Sequence, residues 1–299
     1  MTDCLAGDAG TESCCTSPEV TGGAFFELYA NTGGGPAGGA DPTTVSGLRL
    51  DKYDVTVGRF RQFVKAWDNG RGYLPPAGSG KHGHLNGGQG LVNSGAVGGY
   101  ESGWQTSWSG NVMPTNAGLD CGDTTWTKTP GTQENLPINC VNWYEAYAFC
   151  IWDGGFLPSE AEWEYAAAGG SQEREYPWGS ADPGTASQYA IYGCYYPNPA
   201  SNCIDTPPQV APVGTAALGA GRWGQVDLVG EVSQWDIDWY GGPGGPCVDC
   251  ACLTGGPNRV YEGCTDSCPA GSLQPPEPAE GSDPAGTDGS VGFRCARSP

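Results

Sequence analysis

An α+β domain with much ordered loop is what the sequence predicts, on three observations. Capped segments of helical period all fall before residue 170, and the later chain carries short strand-like runs between turns, unlike alternating βαβ units. Glycine (51) and proline (25) supply about a quarter of the 299 residues, so turns are many. Against disorder stand 11 Trp, 14 Tyr and 7 Phe, because disordered chains lack the aromatics that fill a core.

The elements follow in chain order. Residues 1–21 are polar and carry three cysteines, which reads as an N-terminal arm tied back by a disulfide, ahead of a domain over 22–299. Residues 22–28 read as a first strand, 30–46 as a Gly-, Ala-, Pro- and Thr-rich loop, and 48–55 as a second strand by its alternation. Thr56 is placed to cap a helix on which Val57, Phe60, Phe63, Val64 and Trp67 recur at helical spacing. Residues 68–136 show no long periodic segment, and a loop region of that length is normally functional or stapled; Cys121 and Cys140 are placed to staple its end. Asn142 caps a second helix over 143–152, which Gly154 and Gly155 terminate. Ser159 and Glu162 form a capping box for a third, since hydroxyl and carboxylate each satisfy a free backbone N–H of the other. Beyond residue 170 the best strands are 226–229, 235–239 and 291–297. The acidic, Pro- and Gly-rich stretch 270–290 reads as a mobile loop. The sequence shows no internal repeat.

Composition excludes whole classes of function. A net charge of −20, from 13 Lys and Arg against 33 Asp and Glu, argues against nucleic acid and against an anionic membrane face. No apolar run approaches the ~20 residues of a membrane helix, so no membrane span is expected. Fourteen cysteines spread along the chain suggest a disulfide framework and an oxidising compartment, extracellular, periplasmic or at a cell surface. Residues 1–4 do not read as a secretory leader, so none is visible in the chain. Only Cys247 and Cys250 have CxxC spacing, far from either histidine, which favours disulfides over zinc thiolates.

Several segments, in this order, resemble the formylglycine-generating-enzyme family (sulfatase-modifying factor domain). They are Tyr53-Asp54-Val55-Thr56-Val57-Gly58-Arg59-Phe60, Pro137-Ile138-Asn139-Cys140-Val141-Asn142-Trp143, and above all Leu157-Pro158-Ser159-Glu160-Ala161-Glu162-Trp163-Glu164-Tyr165-Ala166-Ala167. Tyr176-Pro177-Trp178-Gly179, Ala211-Pro212-Val213-Gly214 and the closing Gly292-Phe293-Arg294-Cys295-Ala296-Arg297 complete the set, over roughly residues 22–297. The resemblance implies a variant of the C-type lectin fold. It also implies a bridge between the cysteine of the second helix and that of the last strand, here Cys150 and Cys295. Cys194 and Cys203 look like a local hairpin staple, and Cys247 or Cys250 is expected to pair within the 247–252 cluster.

Catalytic members of the family oxidise a substrate cysteine with O2, using copper held by two cysteines five residues apart; soft thiolates suit Cu(I). Carrying the register forward from Glu262-Gly263-Cys264-Thr265 places Ser267 and Ser272 at those positions. Cys264 and Cys268 lie nearby but four apart, and a shift by one residue pairs Cys268 with Leu273, so no register supplies both thiols. A local Cys264–Cys268 disulfide, or bridges to Cys252 and its neighbours, is the expected state, and copper is not expected. The family's calcium motif falls on Asp227, Gly230, Val232 and Gln234, all able to offer oxygen to a hard cation, which makes calcium the one cofactor anticipated. His82 and His84, two residues apart, would share a side on a strand, but two histidines fall short of the three used by iron-dependent relatives; surface or loop packing is expected. Ser/His/Asp catalysis has no supporting motif, and the glycine runs lack a phosphate-loop context.

The functional expectation is an extracellular, non-catalytic member acting as a binding or surface-scaffold module for an unidentified protein or glycan ligand. One alternative is a copper oxidase of the formylglycine-generating type using Cys264 and Cys268. Another is a lectin-like ligand-binding protein whose C-terminal loop 270–290 is diversified for recognition.

Overall fold

The structure is a computed structural model and describes residues 13–95, 98–198, 209–241, 246–276 and 279–299. The chain enters through β1 (Glu19–Val20), β2 (Gly23–Ala30), β3 (Ala37–Val45) and β4 (Leu48–Leu50) before the first helix, α1 (Val57–Trp67). A short β5 (Val92–Asn93) interrupts a long irregular stretch ahead of α2 (Trp143–Trp152) and α3 (Glu160–Ala167). Then come β6 (Ser233–Trp239), β7 (Cys247–Val248), β8 (Cys250–Ala251), β9 (Arg259–Glu262), β10 (Glu280–Ser282), β11 (Val291–Gly292) and β12 (Ala296–Arg297). Among the described residues the strands divide among four small sheets, ordered β1-β4-β12, β10-β9-β6-β11, β2-β3-β7 and β5-β8. Among the described residues no helix is long and apolar enough to cross a membrane.

The helices begin where local chemistry places them. The Thr56 side chain accepts from Arg59 N, and full capping boxes join Asn142 to Glu145 and Ser159 to Glu162. Phe60 and Phe63 of α1 meet Phe149 of α2 and Phe293 beside β11, giving one core. A second core packs Trp163 and Tyr165 of α3 against Phe25, Leu48, Leu50 and Phe156. The aromatic-rich stretch after α1 needs little regular structure because its apolar side chains, Leu91, Trp104, Leu119 and Trp126, anchor it in the first core.

Several sequence expectations are corrected. Residues 37–45, expected as loop, form β3, which takes hydrogen bonds from β2 on one side and β7 on the other; partners rather than propensity make it a strand. Residues 226–229, expected as a strand, instead turn, with positive φ at Asp227 (57°), Gly230 (85°) and Glu231 (68°), and aim carbonyls inward. The stretch 270–290 is not one loop. Leu273 is fully buried in a 3-10 turn over Ala270–Leu273, and β10 pairs antiparallel with β9. The expected C-terminal strand is split, β11 lying parallel to β6 and β12 antiparallel to β4. At the other end, Glu19 and Val20 of the expected arm pair with Arg49 and Leu48.

Candidate functional site

β9 delivers the chain to Gly263, whose φ is 75° and where an added Cβ would lie 2.9 Å from the Leu228 carbonyl; only glycine fits this turn. Cys264 and Cys268 follow and are bonded to each other. Their short loop is docked on the 191–195 segment, where Gly193 N donates to the Cys268 carbonyl (3.0 Å) and Cys194 N to the Asp266 carbonyl (2.8 Å). Ser267 is exposed and its hydroxyl pairs with Thr265 Oγ1 (3.0 Å), whereas Leu273 is buried. In this arrangement both sulfurs are committed to one bond, and Ser267 and Ser272 present no thiolate to a soft metal.

Upstream lie Asp227, Gly230, Val232 and Gln234, and two of them, Asp227 and Gln234, also hold a buried cation of the chain itself. Arg294 is fully buried. Its Nη2 donates to the Asp227 carbonyl (2.6 Å), the Val226 carbonyl (3.0 Å) and Asp54 Oδ1 (2.9 Å), and its Nε to Gln234 Oε1 (2.6 Å). Trp163 Nε1 donates to the same Gln234 oxygen (2.7 Å), while the Gln234 amide donates to the Asp227 (3.0 Å) and Leu228 (3.2 Å) carbonyls. Asp227 Oδ2 accepts from Gly214 N (2.6 Å). A calcium ion taking Gln234 Oε1 would compete for that oxygen with Arg294 and Trp163. Among the described residues no group of three or more His, Cys, Asp and Glu is arranged to hold a metal.

α3 brings three carboxylates to this region. Glu162 serves twice, its Oε2 accepting from Ser159 N in the capping box and meeting His82 Nε2, each at 2.9 Å. The other face of the ring, Nδ1, meets Glu101 Oε2 at 3.0 Å, and Phe156 packs against the imidazole with ring centres 3.8 Å apart. Burial opposes charge on His82, but the two flanking carboxylates outweigh it and raise the imidazole to about 10. His84 points elsewhere, its Nδ1 3.3 Å from Ser298 Oγ, so the two histidines share no ligand set. His82 is thus a buried ionic link rather than a surface or loop-packing residue. The capping-box pattern marks Glu162, yet nothing in the sequence joins it to residue 82.

Further along, Asp236 and Asp238 on β6 and Glu262 on β9 face Glu160 and Glu164 of α3. Asp238 takes hydrogen bonds from Glu160 N (2.9 Å) and Cys252 N (2.5 Å). Both oxygens of Asp236 and one of Glu164 are buried without a partner. Burial, reinforced by the neighbouring carboxylates, raises Asp236, Glu164 and Glu262 well above the ordinary carboxylate range, Glu160 to about 8 and Asp238 to about 7.

Three further disulfides form the frame among the described residues. Bonds join Cys121 to Cys140, Cys150 to Cys295 and Cys247 to Cys250. Cys194 is disulfide-bonded, while Cys203, its expected partner, lies outside the described residues. Cys252 is a buried free thiol rather than a partner of Cys264 or Cys268, and Cys15 is also free.

Residues 11–299 match the family described as the sulfatase-modifying factor enzyme 1-like domain. The chain is 30% identical over 296 residues to the formylglycine-generating enzyme of Streptomyces coelicolor, covering 93% of this chain and 87% of that protein. It is 30% identical over 274 residues to the mouse formylglycine-generating enzyme, covering 85% of this chain and 66% of the mouse protein. A shorter stretch of 112 residues is 35% identical to the cattle protein called inactive C-alpha-formylglycine-generating enzyme 2, covering 37% of this chain and 36% of that one. Among solved structures, PvdO from Pseudomonas aeruginosa superposes with a TM-score of 0.57 at 17% identity, covering 94% of this chain and 93% of that one. Treponema denticola variable protein 1 gives 0.54 at 19% identity and 95% of both chains. These near-full-length agreements correct the C-type lectin description. What is shared is the overall α+β fold, built in this chain with few helices and short strands.

Proposed function

The chain belongs to the sulfatase-modifying factor enzyme 1-like family, and from that premise we propose that it acts as a non-catalytic binding module in an oxidising, extracytoplasmic compartment. The observation that carries the reading is the Cys264–Cys268 bond, with serines at positions 267 and 272 where the family resemblance implies the catalytic thiols. A copper oxidase needs two thiolates open to one Cu(I) ion, and a bonded pair offers none. The disulfide frame supports the compartment, since such bonds persist outside reducing cytosol. The similarity to a protein named inactive formylglycine-generating enzyme 2 supports the same reading, because loss of activity occurs among the chain's relatives.

The test is a thiol count on the denatured, unreduced protein, with a Cu(I) titration and a turnover assay on a peptide containing Cys-x-Pro-x-Arg. The expected result is that Cys264 and Cys268 do not react with thiol reagent, that no stoichiometric Cu(I) is held, and that the peptide is unchanged. Copper-dependent conversion of the peptide that disappears in Cys264→Ser would establish the oxidase instead. Calcium at Asp227, Gly230, Val232 and Gln234 is tested separately by melting with and without millimolar Ca2+. A bound ion would raise the melting temperature, and Gln234→Glu would enlarge the rise.

A further inference from the structure

Between α2, the 101–108 segment, β6 and β9 lies a cavity of about 230 Å³. Trp108, Trp143, Tyr147 and Trp239 make its wall aromatic, and two ionic side chains, Arg259 and Glu101, also line it. It shares no lining residue with the Cys264–Cys268 segment.

Arg259 is held in an unusual state for a buried cation. It is 4% exposed, and its guanidinium carbon lies 3.9 Å from the Trp143 ring centre and 3.7 Å from that of Trp239. Its Nη1 donates to the Ile237 carbonyl (2.5 Å), while its Nε is buried with no partner. Asp238, the acid acting most strongly on it, spends its oxygens on Glu160 N and Cys252 N. A guanidinium stacked between two indoles is fixed in place, and an unpaired buried charge is costly unless something supplies the counter-charge.

Glu101 shows the complementary state. It is 3% exposed, and its Oε2 accepts from His82 N (2.9 Å) and Leu91 N (3.3 Å) and meets His82 Nδ1, whereas Oε1 is buried without a partner. His82 is shared between Glu101 and Glu162, so these three groups together still carry one negative charge when the imidazole is protonated. One cavity is therefore lined by a positive and a negative side chain, each short of a partner, and by flat apolar rings. An anion alone would meet Glu101, and a cation alone would meet Arg259. A ligand carrying both charges satisfies both walls.

We propose that this cavity binds a small zwitterion of the amino-acid class, its carboxylate on Arg259, its ammonium on Glu101 and its side chain against the aromatic wall. The proposal rests on the binding-module reading for its role, but the site stands whether or not residues 264–268 turn over a substrate. Peptide conversion without cavity binding, or binding without conversion, separates the two.

The experiment titrates the full chain with each proteinogenic L-amino acid to about 10 mM, by calorimetry and by the fluorescence of the wall tryptophans. At least one amino acid is expected to saturate a single site, with its deamino and decarboxy analogues binding about tenfold or more weakly. Glu101→Gln should weaken binding similarly. Ser102→Trp, at an exposed position of the lining, should block it while the melting curve stays that of the parent, which keeps the test valid if Arg259→Gln does not fold. No saturable binding of any amino acid, an analogue with one charge binding as well as its parent, or unaltered binding in a folded Ser102→Trp protein would overturn the proposal.

Discussion

His82 shows how one residue ties three distant segments, since its ring meets Glu101 through Nδ1 and Glu162 through Nε2. Its pKa in the folded protein, about 10, lies above the unfolded value of 6.5. The stabilisation is therefore complete below about pH 6.5 and is lost as pH rises through about 10. Glu162 is held below its ordinary value by the same contact, so on the acid side its share fades as pH falls through that lowered pKa. His82→Gln should cost roughly 3–5 kcal/mol near pH 6, because two buried carboxylates lose their cation. Urea denaturation of both proteins should show the difference shrinking steadily toward pH 10, and a gap that stays constant would exclude this origin. Arg294 is the matching case, a fully buried cation whose hydrogen bonds reach Asp51, Asp54, Asp227 and Gln234.

At the level of elements, the packing of α3 on β6 and β9 concentrates acid. Glu160, Glu164, Asp236, Asp238 and Glu262 all have raised folded pKa values, so the folded state holds more protons than the unfolded chain above about pH 4. The sign is then fixed. Stability falls as pH rises from about 4 toward 8, and the melting temperature should be higher at pH 5 than at pH 8. Asp236 isolates the effect, because neither of its oxygens has a partner to lose. Asp236→Asn should gain on the parent as pH rises, by about 1 kcal/mol or more at pH 8, since the unfolded chain no longer profits from ionising it. An equal effect of the substitution at pH 5 and pH 8 in denaturant titrations would contradict this. The N-terminus of α3 allows a smaller test. Ser159→Ala removes the hydroxyl that accepts from Glu162 N and should cost about 1 kcal/mol by thermal melting.

For the whole molecule the decisive covalent link is Cys150–Cys295, which spans 145 residues and fastens the last strand to α2. The strand beyond it, β12, pairs with β4, and Phe156 exchanges backbone hydrogen bonds with Ala296, so the bridge holds together the first and last parts of the chain. Closing so long a loop limits the unfolded chain by about 5 kcal/mol in the chain-entropy picture, against about 2 for the four-residue separation of Cys264–Cys268. A Cys150→Ala/Cys295→Ala protein should accordingly melt well below a Cys264→Ala/Cys268→Ala protein. Calorimetry of the two would settle it, and equal melting temperatures would refute the ranking.

What the sequence determined by itself was local. Thr56, Asn142 and Ser159 mark the starts of α1, α2 and α3 because a cap is an interaction between residues three apart, and the α+β order follows from where those helices stop. The motif around Leu157–Ala167 carried the family for the same reason, being one continuous stretch. The tertiary structure alone decided the rest. β3 and β10 are strands because partners from elsewhere in the chain supply their hydrogen bonds, although their own composition reads as loop. The ionic link at His82, the Arg294 cradle and the cavity between Arg259 and Glu101 join residues tens to hundreds of positions apart. Sequence spacing carries no trace of such contacts, because buried charge is satisfied by whichever groups the packed core brings within hydrogen-bonding reach.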